Sequence, residues 1–176
     1  MHKLLVTLGI VALTTTTQAA TVTSLNAVSF IAGLMDGVIH KDNLQELQQC
    51  LTNVEHVALE VEEIYAAFTS LSLLGIAKAI EDLEDIATYI AVEGQQCESI
   101  IPDVDRFRKW AAIFTTPGEL MTRLAINVPA HFNEILVDVQ EANIDYEKGD
   151  FFECGENLGE AMVLAVGQAE LTGDIV

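Results

Sequence analysis

His131, Glu134 and Asp138 stand at i, i+3 and i+7, a spacing that lays an imidazole and two carboxylates along one face of a helix. Such a face can bind a transition metal, shuttle protons as a general acid–base pair, or simply be the wet side of a packed helix. Metal-binding bundles use Glu-x-x-His with further glutamates on facing helices. Neither His40 nor His56 has a glutamate three positions earlier, and Asp36 with His40 is one isolated i, i+4 pair. The stretch therefore reads as the polar face of a helix, and no metal ligand is assigned.

The remaining chemistry-bearing residues lead the same way. The acid-rich NIDYEKGDFFE, residues 143 to 153, has its glycine and acids out of register with a calcium-binding loop. Weak, diffuse calcium binding is all that it supports. The chain has no Gly-x-Ser-x-Gly elbow, phosphate loop or dinucleotide fingerprint, and Cys50, Cys97 and Cys154 have no histidine in a nucleophile motif. No enzyme, no catalytic residue and no cofactor are expected.

Elements that could position any site follow from punctuation and periodicity. MHKLLVTLGIVAL joins a short basic start to an apolar run, and Thr17 and Ala19 are the small residues of a cleavage site, so residues 1–19 are expected to be a signal peptide. A membrane anchor is the alternative, but the run is far shorter than the roughly 20 residues that span a bilayer. The mature chain, 176 minus 19 residues, suits a single domain, 20–176, secreted into a granule lumen or the extracellular space.

Ser24 is a cap for a first helix, with Leu25, Val28, Ile31, Leu34, Met35 and Val38 as its stripe and Gly33 and Gly37 as points where another helix comes close. From 43 to 71, Leu44, Leu47, Leu51, Val54, Ala58, Val61, Tyr65 and Phe68 make a heptad seam that predicts one long helix. A third helix covers 76 to 94, and a fourth begins at Pro102 with Val104, Phe107, Trp110, Ala111 and Phe114 inward. Arg106, Arg108 and Lys109 gather on that helix as a solvated patch that pairs with nearby acids.

Thr116, Pro117 and Glu119 predict a capping box. The helix that follows carries Leu120, Leu124, Val128, Phe132, Ile135, Val139, Ala142 and Tyr146 past a kink at Pro129. Asp150 caps a last helix running to about Leu171. The expectation is an all-α protein, an antiparallel bundle of about six helices.

Charge sets the partners. The chain has 27 acidic and 8 basic residues, a net charge of −19, so nucleic acid and anionic membranes are repelled. Cationic partners and divalent ions are favoured. The leader, the seam, the glycines and the acidity suggest a secreted, non-catalytic structural protein that associates with itself or with other secreted proteins. A carrier of lipid or of a small apolar ligand is the alternative, with Met35, Met121 and Met162 lining a pocket.

In an oxidising compartment three cysteines cannot all pair within one chain. Cys50 and Cys97 lie 24 and 23 positions from Leu74, so two antiparallel helices joined there bring both to one end of the bundle. A Cys50–Cys97 disulfide is expected, stabilising the fold by roughly 4 kcal/mol on the chain-entropy model. Cys154 is then a buried core thiol or the site of a covalent dimer.

Cys50, Cys97, WAAIFTTP, NEILVDV and DFFECGENLGEA carry a resemblance. From about Phe30 to Ala169 the chain resembles an uncharacterised family of small acidic secreted proteins of ciliates. That resemblance implies secretion and an all-helical fold and supplies no catalytic residue. Cys154 departs from it, since such proteins often have two cysteines in these regions.

Overall fold

The computed structural model describes residues 23–51, 54–70, 78, 82, 85–86 and 99–168. The expected signal peptide, Cys97 and nearly all of the helix expected over 76–94 lie outside them. Six α-helices and one 3-10 turn are described: α1 Ser24–Ile39, α2 Leu44–Cys50, α3 Glu55–Thr69, α4 Ile101–Ala111 running into the 3-10 turn Ala112–Thr115, α5 Pro117–Lys148 and α6 Phe151–Val166. No strand occurs among the described residues. The protein is an all-α bundle.

Helix α1 is its centre. Apolar residues occur on every side of it, and eleven of its residues, from Ala27 to Ile39, are buried, as a helix without a polar face requires. The cap is Thr23 rather than Ser24: the Asn26 N–H donates to Thr23 Oγ1 at 3.3 Å. Leu25, expected in the stripe, is exposed, because the core face begins one turn later at Ala27 and Val28.

The long second helix is two helices. Leu51 is extended at φ −85°, ψ 106°, in a stretch, Leu-Thr-Asn-Val, poor in helix formers. The change of direction rephases the seam: Leu47, Leu51, Val54, Val57, Val61 and Ile64 are buried, while Ala58 and Tyr65 are only half-buried. Matched spacing of Cys50 and Cys97 about Leu74 requires a continuous helix, whereas Cys50 ends the short α2.

Helix α4 has its proline in the first turn, and Val104, Phe107, Trp110, Ala111 and Phe114 are buried. Asp103 is buried as well and pairs with Lys41, which ties α4 to the link after α1. The capping box does not form: Thr116 makes no side-chain cap bond, and Glu119 receives Arg123 at 2.8 Å instead. Two guanidinium N–H groups of Arg123 share Glu119 Oε1, and the Thr116 N–H that the box would use donates to Ile113 O at 3.2 Å instead.

Helix α5 continues through Pro129 and kinks, with His131 non-helical at φ −115°, ψ 19°. Gly149 (φ 80°) ends it: its N–H donates to Tyr146 O at 3.0 Å and that of Asp150 to Asp145 O at 2.8 Å, the paired bonds of a Schellman turn. Asp150 then caps α6 through Glu153 N–H, so α5 and α6 form an antiparallel hairpin. The last helix stops at Val166, short of Leu171. Gly167 takes a positive φ there, and Trp110 Nε1 and Arg123 Nη1 donate to Gly167 O and Val166 O at 2.9 and 3.0 Å.

Helix α6 packs along both α5 and α1. Against α1 it runs parallel, with Gly33 and Gly37 facing Gly155 and Gly159. A Cβ on Gly33 would overlap Phe152 O and reach 2.9 Å from Glu156 N, and one on Gly159 would lie 2.6 Å from Leu34 O. The backbones touch because no side chain separates them, the close approach expected of Gly33 and Gly37.

Candidate functional site

The His131 face closes on itself. Helix α5 places His131 Nδ1 2.7 Å from Glu134 Oε2; Glu134 is exposed, His131 is half-buried, and Asp138 is half-buried further along. Among the described residues no group of three or more His, Cys, Asp or Glu side chains could hold a metal ion. The kink explains the separation: His131 is the residue that leaves helical geometry, so its ring no longer shares a regular face with Asp138.

Asp138 belongs to a different arrangement. Burial first, and then Glu160, Glu141 and Glu134, push its carboxyl up to about 6. Glu156 is raised by burial and by Asp36, Glu153, Glu160 and Asp42, and Asp36 is raised by burial and Asp42, against a smaller lowering by His40. Three helices thus turn acids towards one ridge over the glycine crossing. The close backbone approach that fills the core also crowds these carboxylates, and like charges favour holding a proton.

At the hairpin end, α5 and α6 leave a cleft of about 360 Å³ lined by Glu141, Ile144, Asp145, Lys148, Glu153 and Asn157. Lys148 Nζ donates to Asp145 Oδ1 at 2.8 Å and Asn157 Nδ2 to Asp145 Oδ2 at 3.1 Å. Asp145 is thereby occupied, whereas Glu141 and Glu153 flank the opening. The walls are mainly polar, which suits cationic groups rather than an acyl chain. The sequence of this segment, NIDYEKGDFFE, is out of register for a calcium loop and offers Asp150 as the cap of a last helix. Its actual signal was the helix–Gly-Asp–helix punctuation, which folds residues 141–148 back over 153–157.

Beneath the cleft, Tyr65 of α3 stacks on Tyr146 with ring centroids 3.8 Å apart, its hydroxyl donates to Asn143 Oδ1, and Tyr146 meets Phe151 edge-on at 5.4 Å. Burial and the neighbouring Cys154, Tyr146 and Glu147 push Tyr65 up to about 12. Cys154 is a free, fully buried cysteine, and burial, then Asp145 and Asp150, raise its thiol to about 12. The dipole at the start of α6 is outweighed by desolvation, and the thiol is inert rather than activated. Cys50 is disulfide-bonded; the expected partner, Cys97, lies outside the described residues.

The other expected positions divide. Arg108 pairs with Asp105 at 3.7 Å, Arg106 is half-buried with an Nε that has no hydrogen-bond partner among the described residues, and Lys109 is exposed. Met35 and Met162 are core residues while Met121 is exposed, so the three methionines do not line one pocket. Among the described residues no helix is long and apolar enough to cross a membrane.

Comparison with known proteins places the chain. No curated protein and no solved structure matches it. The family model described as SctB-like, Secreted protein B-like, matches residues 11–165. With that match spanning most of its length, the chain belongs to the SctB-like family of secreted proteins.

Proposed function

We propose that this is a secreted, non-catalytic association protein, a structural component of secretory-granule contents or of an extracellular or surface layer. The observation that carries the reading is the character of α5. It supplies Leu120, Leu124 and Ala142 to the core and also turns Ile126, Val137 and Ile144 outward, on a chain otherwise covered in acids. Exposed aliphatic groups on a solvated helix support a contact surface, and membership of a secreted-protein family supports secretion. The likeness to ciliate proteins, the leader at 1–19 and the single mature domain belong to the same proposal.

The acidic surface supports association with other secreted proteins, and self-association where calcium screens the charge; it argues against nucleic acid and anionic membranes. A Cys50–Cys97 bridge also belongs to this reading, since Cys154 is free and Cys97 is the remaining cysteine. A carrier role would need an apolar cavity, and the described cleft is polar; organic extraction of native protein that yields stoichiometric lipid would reinstate it. Sedimentation of the secreted protein, alone and with its co-secreted proteins, with and without millimolar calcium, tests the main proposal. Concentration- or partner-dependent assembly is expected, and a strict monomer in every condition overturns it.

A further inference from the structure

We infer that the outward face of the second limb of α5, together with the cleft it shares with α6, docks a cationic amphipathic segment of another protein. The inference rests on the association reading above and names its surface and its partner.

Val137 and Ile144 lie seven residues apart, two helical turns, and so share a face. Each is 49% exposed. The core side of the same limb, Val139, Ala142 and Tyr146, occupies the opposite face of the helix, so the two outward aliphatics cannot turn inward without exposing the core. Ile144 also lines the cleft, between Glu141 on its own helix and Glu153 across the opening. A partner that covers this strip must set aliphatic groups on Val137 and Ile144 and positive charge against Glu141 and Glu153. An amphipathic helix with leucines along one face and lysines or arginines beside them meets both demands.

Charge decides between occupants. A second copy of a chain with 27 acidic and 8 basic residues brings carboxylates against carboxylates, which disfavours pairing unless cations intervene. An anionic membrane is repelled for the same reason. Lys148 does not reverse the sign of the cleft, because its ammonium is engaged by Asp145. The cationic segment is the occupant for which the aliphatic and the electrostatic contributions act together.

The test is calorimetric titration of the full secreted chain with three synthetic helical peptides: leucines on one face flanked by lysines, the same composition scrambled, and the first peptide with glutamates for lysines. One-to-one binding of the first is expected, at least about tenfold weaker for the scramble, with none for the glutamate form. Val137→Ser with Ile144→Ser should weaken binding roughly tenfold. Leu59→Ser, a still more exposed aliphatic on α3, should leave it unchanged. Glu141→Gln with Glu153→Gln should weaken binding and flatten its dependence on salt. All these positions are at the surface, and far-UV circular dichroism of each variant verifies the fold.

Equal affinity for the scramble, or indifference to the Val137 and Ile144 changes, identifies diffuse attraction between polyions and overturns the inference. So does loss of self-assembly in the Val137/Ile144 variant without any peptide binding, which makes a second copy the occupant. Both results leave the association reading standing. That reading falls instead if the native secreted protein sediments as a monomer throughout, whatever the peptides do.

Discussion

Replacing Gly33 by alanine places one methyl group where α1 and α6 meet backbone to backbone. The new Cβ overlaps Phe152 O and lies 2.8 Å from the carbonyl carbon behind it, and neither can rotate away as a side chain could. The helices must part by about 1 Å to restore ordinary contact, which forfeits roughly a quarter to a half of the dispersion energy across the gap. Phe30, Leu34, Leu158 and Met162 are the large buried side chains beside the crossing. If each loses under about 1 kcal/mol, the total is roughly 3 to 4 kcal/mol. Alanine's better helix propensity offsets about 1 kcal/mol of this, which leaves a net destabilisation of about 2 to 3 kcal/mol, within the range for overpacked cores. Urea unfolding followed by far-UV circular dichroism at pH 7 measures it, with Gly118→Ala as the control because nothing lies within 4 Å of the added atom there. A Gly33→Ala protein as stable as the parent would refute the claim that the crossing admits no side chain.

The acid ridge makes stability depend on pH. Asp138 titrates near 6 in the folded chain against 3.8 when unconstrained, so the folded state holds that proton more tightly and stability rises as pH falls from 7 through 6 towards 4, with Asp36 and Glu156 acting in the same direction. Asp138→Asn should therefore stabilise the protein at pH 7.5, by up to about 1 kcal/mol after solvent screening, and reduce the gain on acidification; thermal melts at pH 7.5 and at about pH 5 decide. Cys154 should resist thiol reagents in the native protein up to pH 9 and react fully once the chain is unfolded in urea, and rapid native labelling would show that the site is open. Lys41→Met leaves the Asp103 carboxylate buried without its ammonium and should destabilise by about 1 to 2 kcal/mol, visible as a lower urea midpoint with an unchanged slope; an unchanged midpoint would mean that the pair is inert.

What could be read from the sequence was what depends on local chemistry. Pro102, Gly149 and Asp150 announce helix boundaries through a missing N–H, a left-handed backbone and a capping carboxylate, and the structure uses all three. Gly33 and Gly37 likewise pointed to a close helix neighbour. Which neighbour was not legible, because Gly155 and Gly159 lie over a hundred residues away and periodicity says nothing of pairing. The seam over 43–71 misled for a related reason: heptad spacing survives a change of direction at Leu51, since hydrophobic residues are needed on both sides of a bend. Phe132 fits its stripe by spacing yet is 57% exposed, because the kink at His131 turns that part of α5 away from the core. The cleft was hidden in the same way, its walls being two faces that only the Schellman turn brings opposite each other.

The pairing of α1 with α6 also determines when the protein can become stable. Gly33 and Phe152 touch across 119 intervening chain steps, and closing a loop of that length costs about 4 kcal/mol of chain entropy before any contact repays it. Of the described helices, α1 is made first and waits for α6. Until α6 arrives, the face of α1 around Gly33 and Gly37 has no cover, and that part of the nascent chain is sticky rather than native-like. That part of the core therefore closes only once residues as far along as Gly159 have been made, and the chain before them stays open to other contacts until then.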